Sequence, residues 1–176
     1  MSKVQIVDIS TDYIESLTKY LSSKGSNILP YENKKVGKTH FTRPYICLKY
    51  SNNYKYLECY PFSSYKKKDN LKTPYYCFMV INGKIKGKIA LNCKLIVPRD
   101  KVKIIMTTPE AIKNCPNKSM KDYLRTLQDE WQFCHNSLNW ILNEESKYIK
   151  LHKSNPNKFK TIKTDLIHNF IRINKM

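Results

Sequence analysis

The chain has 176 residues, enough for one domain with a sizeable core, and its 41% hydrophobic and 12% aromatic content excludes wholesale disorder. Lysine and arginine total 32 against 14 acidic residues, a formal charge of +18. AT-rich coding bias inflates lysine, but it should raise the acids as readily, so the surplus points to a polyanionic partner, either nucleic acid or a membrane surface.

No stretch of about 20 apolar residues offers a transmembrane helix. The start, Met1-Ser2-Lys3-Val4-Gln5-Ile6-Val7-Asp8, lacks the apolar run and cleavage site of a signal peptide. Cys47, Cys59, Cys77, Cys93, Cys115 and Cys134 include no C-x-x-C pair, and several sit in apolar runs. They read as free thiols in a reducing cytoplasm, with no metal site expected.

Along the chain, Ser10 or Thr11 can cap a helix whose Tyr13, Ile14, Leu17, Tyr20 and Leu21 share a face, ending near Ser22-Ser23-Lys24-Gly25. A basic connection runs from Asn27 to Lys38. Pro44 to Tyr50 and Tyr54 to Tyr60 read as strands joined by Ser51-Asn52-Asn53. A lysine-rich loop, Tyr65 to Lys72, precedes a strand from Tyr75 to Ile81. Asn82-Gly83 is the strongest turn signal in the chain. Further strands are expected at Ile89–Val97 and Val102–Met106. The period then changes. Met120, Tyr123, Leu124, Leu127, Trp131, Cys134, Leu138, Ile141 and Leu142 mark one long helix with Ser119 as a cap. After an interruption at Lys153–Lys160, Ile162, Leu166, Ile167, Phe170 and Ile171 suggest a closing helix. The expectation is a single α+β domain over residues 1–176.

Two windows carry chemistry. Lys38-Thr39-His40-Phe41-Thr42-Arg43 is a cationic loop entering a strand, and His40 is its candidate for proton transfer or substrate binding. Tyr60-Pro61-Phe62-Ser63-Ser64-Tyr65-Lys66-Lys67-Lys68 follows an apolar strand and sets two hydroxyls before a lysine run. Hydroxyls can hold phosphate oxygens, and a nearby lysine neutralises the phosphorane formed when a ribose 2′-OH attacks the adjacent phosphate. A solvated loop is the bland reading of the same residues.

Tyr13-Ile14-Glu15-Ser16-Leu17, Arg43-Pro44-Tyr45-Ile46, Tyr56-Leu57 and Pro61-Phe62-Ser63-Ser64-Tyr65-Lys66-Lys67 occur in an order and spacing that resembles the toxins of type III toxin–antitoxin systems, the ToxN/AbiQ/CptN type. The similarity spans about residues 10–67, and the stretch Tyr123-Leu124-Arg125-Thr126-Leu127 also resembles the family's late helix. The resemblance implies a highly twisted antiparallel sheet flanked by helices, related to the MazF/Kid fold. It also implies metal-independent and cofactor-independent RNA cleavage to 2′,3′-cyclic phosphate and 5′-hydroxyl ends. A tandem-repeat pseudoknot RNA antitoxin would inhibit the enzyme in a closed RNA–protein assembly.

Carried onto this chain, the expected catalytic set is Ser64, Ser63, Lys66, Arg43 and Tyr13, the tyrosine positioning or stacking a base. Lys38, His40, Tyr65, Lys67 and Lys68 would bind RNA. Three departures stand out: Tyr65 replaces a usual proline, Cys47 replaces a glycine, and the Lys66-Lys67-Lys68 run leaves Lys67 as an alternative to Lys66. A non-catalytic RNA-binding module, using lysines for phosphates and 13 tyrosines for stacking, is the main rival. A DNA-binding regulator using the Lys121–Asn143 helix is the weaker one.

Overall fold

The computed structural model describes residues 4–31, 44–51, 53–105 and 107–176, and the backbone alone of 35–36 and 39–40. Nine strands are assigned among these: β1 (Gln5–Ile9), β2 (Lys35–Val36), β3 (Thr39–His40), β4 (Tyr45–Tyr50), β5 (Tyr56–Ser64), β6 (Tyr76–Ile81), β7 (Lys84–Ala90), β8 (Leu95–Pro98) and β9 (Val102–Ile104). The helices are α1 (Thr11–Ser23), α2 (Pro109–Lys113), α3 (Lys118–Asn136), α4 (Leu138–Ser154) and α5 (Thr164–Ile173). Seven strands form one antiparallel sheet in the order β6-β7-β5-β4-β1-β9, with β8 also on β5; β2 and β3 make a separate ribbon.

The nine-residue β5 organises the sheet. One of its edges pairs with β4, from Leu57 opposite Tyr50 to Pro61 opposite Tyr45. The other edge is shared: β8 takes Tyr56–Cys59, and β7 takes Phe62–Ser64. Phe62 N–H donates to Pro44 O on the β4 side at 3.4 Å. Successive amides alternate, so the donor that Pro61 lacks falls at the gap between β8 and β7, where no ladder bond is needed. At the β6–β7 hairpin Asn82 and Gly83 both have positive φ, 51° and 71°, the turn that a two-residue hairpin demands.

Both faces of the sheet are covered, which is why Tyr45–Leu48 is buried without interruption. On one face Val7, Ile9, Tyr45, Cys47, Leu57 and Cys59 pack under α1 and α5. On the other, Ile6, Ile46, Leu48, Tyr60, Phe62, Met79 and Ile89 pack under α3 and α4. Trp131 Nε1–H donates to Val4 O at 2.9 Å, tying α3 to the start of β1. The α4 helix is held by charge as well. Glu145, 3% exposed, accepts from Lys49 Nζ at 2.8 Å, from Lys94 Nζ at 3.0 Å and from the Tyr60 hydroxyl. Burial pushes its carboxyl up, and these donors more than offset that, holding it below the ordinary value.

The α+β class with a helix-flanked antiparallel sheet is as expected. Several elements differ. The strand β1 was not expected, and the strand expected over Ile89–Val97 is two strands separated by a 3-10 turn at Leu91–Cys93, because β7 and β8 serve different stretches of β5. The expected long helix is α3 and α4, broken at Ser137; the α3 cap is Asn117, whose side chain accepts from Met120 N, rather than Ser119. All six cysteines are free. No helix among the described residues is long and apolar enough to cross a membrane.

Candidate nucleic-acid interface at the end of β5

Ser63 and Ser64 close β5, opposite Lys88 and Gly87 of β7, and Tyr65 N–H extends the ladder by donating to Lys86 O at 3.2 Å. Because strand side chains alternate, the two serines point to opposite faces. Ser63 lies on the face of Lys88 and Phe78, its direct neighbours across the strands. There Tyr65 meets Phe78 edge-on at 6.2 Å, Phe78 meets Tyr76 at 6.1 Å, and Lys88 Nζ sits 4.5 Å over the Tyr76 ring. These rings are only partly buried, so the face offers aromatic edges to solvent. Ser64 faces the side of Phe62, Met79 and Gly87, but it stands where the apolar cluster runs out and is exposed.

The lysine run is a shaped turn. Lys66 N–H donates to Asp69 Oδ2 at 2.7 Å and Asp69 N–H returns to Lys66 O at 2.8 Å. Asp69 Oδ1 then accepts from Lys88 Nζ at 2.6 Å. The Lys88 bond first, and the Lys66 amide next, hold the Asp69 carboxyl below its ordinary value. Thus Asp69 and Lys88 pin the turn to β7, while Lys66, Lys67 and Lys68 are exposed and form no salt bridge among the described residues. A half-buried and an exposed hydroxyl at a strand end, followed by cations on an anchored turn, can receive a backbone phosphate.

The other expected site residues fare differently. Tyr13 is 2% exposed, its hydroxyl donates to Ile96 O at 2.8 Å, and its ring meets Phe170 edge-on. Burial pushes its phenol well above the ordinary value. The expectation that Tyr13 stacks or positions a base is therefore corrected: the ring has no free face, lies across the sheet from Ser64, and serves packing. Lys38 and Arg43 lie outside the described residues, as does the side chain of His40, whose backbone pairs with Lys35 in the β2–β3 ribbon. Pro44, which follows Arg43, is beside Phe62.

Sequence reasoning missed Asp69 and Lys88. The signal for Lys88 is its alternation with Gly87 and Ile89, which puts it on the Ser63 face once β7 is known to pair with β5. Among the described residues, no three His, Cys, Asp or Glu side chains gather in a way that could hold a metal ion. Two clefts lie elsewhere. One, of about 460 Å³, is lined in part by Lys94, Glu145, His152 and Lys163; the other, of about 370 Å³, by Lys24, Lys160 and Lys163 among others.

Known structures share this architecture. A chain from a bacterial type III toxin–antitoxin structure, concerned with selective toxin inhibition by a non-coding RNA pseudoknot, superposes with a TM-score of 0.74 at 17% identity, covering 98% of both chains. AbiQ, a lactococcal anti-phage endoribonuclease of the type III toxin–antitoxin class, superposes with a TM-score of 0.71 at 14% identity, again over 98% of each. The fold is the same. A chain from a bacterial antiviral system regulated by a processed non-coding RNA gives 0.69 at 17% identity, over 96% of this chain and 97% of that one. No family model and no curated protein matches the sequence.

Proposed function

We propose that this protein is the endoribonuclease toxin of a type III toxin–antitoxin, phage-defence system, restrained in the bacterial cytoplasm by a tandem-repeat pseudoknot RNA. The observation that carries the reading is the end of β5: half-buried Ser63 and exposed Ser64 beside a lysine turn pinned by Asp69 and Lys88. That this arrangement sits on a fold shared with AbiQ, an anti-phage endoribonuclease, supports it further.

The reaction is transesterification. The ribose 2′-oxygen attacks the adjacent phosphorus, the bond to the 5′-oxygen breaks, and the products are a 2′,3′-cyclic phosphate and a 5′-hydroxyl. The lysine turn, with Lys66 nearest the serines in sequence and Lys67 as its alternate, stabilises the charge on the phosphorane. Ser63 and Ser64 hold its oxygens in line for attack. Arg43 and His40 add charge from the segment leading into β4, and Lys38 and Lys68 extend the track for the RNA backbone. Tyr65 offers an aromatic edge to a base. The reading needs no metal or cofactor.

The test incubates the purified chain with RNA in EDTA and analyses the fragment ends. Cyclic phosphate and 5′-hydroxyl ends, lost in Ser64→Ala with fold and RNA affinity retained, are the expected result. Intact RNA bound tightly and salt-sensitively would instead establish the rival, a non-catalytic RNA-binding protein, for which the Tyr65–Phe78–Tyr76 face with Lys88 supplies the surface.

A further inference from the structure

A serine hydroxyl is a weak proton acceptor without a stronger base behind it. On the Ser64 side of the sheet α3 supplies such a group. Glu130 is 6% exposed and has no salt bridge or hydrogen bond among the described residues, in a chain carrying +18. Buried carboxylates are ordinarily paired, as Glu145 is, so an unpaired one calls for a reason.

Its position supplies one. Ser64 is directly opposite Gly87, and facing residues of an antiparallel pair project to the same side. A Cβ at Gly87 would stand 2.9 Å from Glu130 Oε1, 2.5 Å from Met79 Cε and 3.1 Å from Ser63 O. The backbone at Gly87 has no positive φ, so the glycine is there for space. The Glu130 carboxylate thus occupies the room that a side chain opposite Ser64 would fill. With facing Cβ positions about 5 Å apart, one water can span from the carboxylate to the hydroxyl. The two are not hydrogen-bonded in this structure, and such bonds often tighten only with substrate in place.

We infer that Glu130 is a positioning residue behind Ser64 that accepts a proton through it, so that the pair acts as the base of the cleavage reaction. The inference rests on the endoribonuclease reading. As the 2′-oxygen bonds to phosphorus, its proton passes to Ser64 Oγ while the Ser64 proton passes to the Glu130 carboxylate, directly or across one water. The bond from phosphorus to the 5′-oxygen breaks, and that oxygen takes a proton from the Lys66 ammonium or from solvent water. Ser64 ends unchanged, Glu130 returns its proton to solvent, and Lys66, where it was the donor, takes a proton back from solvent.

Burial first, and the neighbouring Asp129 carboxylate second, raise the Glu130 carboxyl to about 7, where a base works at neutral pH. The groups around it do not reverse this. Asp129, Tyr123 and Cys134 share its helix, Asp8 comes from β1 and acts on Tyr123, and Cys77 of β6 faces Cys134. Glu144 and Glu145 of α4 act on Cys77; Glu110 and Lys113 of α2 are exposed; Lys88 alternates with Gly87 to the far side of β7; and Lys86, the extra residue of the β6–β7 bulge, is exposed.

The test measures single-turnover RNA cleavage by the full chain between pH 5.5 and 8.5, for wild type, Glu130→Gln and Glu130→Asp. Affinity is measured in parallel on RNA with a 2′-deoxy substitution that blocks cleavage. The wild-type rate should climb with pH and level off above pH 7. Glu130→Gln should lose about 100-fold or more and be flat with pH, with affinity and circular dichroism unchanged. Glu130→Asp should recover part of the rate and keep the climb. If wild type cleaves and Glu130→Gln matches it in rate and slope, or loses affinity in step with rate, the relay is wrong and the ribonuclease reading stands. If wild type cleaves no RNA, both fall.

Discussion

Replacing Glu130 with glutamine removes a titration that the fold has displaced, and equilibrium unfolding reports it without reference to RNA. In the folded chain the group titrates at about 7 against an ordinary 4.5, burial being the main cause and Asp129 the next. Between those values the native state holds a proton that the unfolded chain has released, so stability falls as pH rises through the window. From pH 5 to pH 8 the loss attributable to this one group is about 2.5 kcal/mol. For a chain of this length that corresponds to about 5–10 °C in melting temperature. Glutamine does not titrate, and every other ionisable group is common to both proteins, so their difference isolates Glu130. The assay is thermal or urea unfolding of wild type and Glu130→Gln at both pH values. The variant should gain on wild type at pH 8 relative to pH 5. Parallel pH dependence in the two proteins would refute the reasoning, because it would mean that the carboxyl titrates alike folded and unfolded.

Glu145→Gln carries the opposite sign at neutral pH: it leaves Lys94 under-compensated beneath α4 and should cost about 3 kcal/mol in urea unfolding. Gly87→Ala introduces a methyl against Met79, Glu130 and Ser63 O, so it should cost about 1–3 kcal/mol of stability, with cleavage falling further than stability explains. Lys88→Met frees Asp69 and unpins the lysine turn; cleavage should fall by up to about 100-fold while the melting temperature moves little, as read by parallel kinetics and calorimetry.

Much of the architecture is legible along the chain. The apolar face of α1, the Asn82-Gly83 hairpin, the strands around Ser51–Asn53 and the closing helix all follow from local period and turn chemistry. The break at Ser137 is not legible, since Cys134, Leu138 and Ile141 keep helical spacing across a one-residue interruption. Nor is the division of Ile89–Val97, because a buried run reads as one strand until its two partners on β5 are known. Tyr13 shows the limit of a motif: its place in the helix is evident, yet whether its ring faces solvent or Phe170 depends on a helix some 150 residues later.

By itself the sequence determined the α+β class, the basic surface and the hydroxyl–lysine segment, because periodicity, charge and short motifs are properties of neighbours along the chain. Glu130 and Glu145 are half-legible there, as acids set among the buried positions of α3 and α4. Only the tertiary structure decided that one is paired with two lysines and the other stands unpaired over Gly87. That difference arises from which strands lie beneath each helix, and strand pairing joins residues that local sequence cannot bring together.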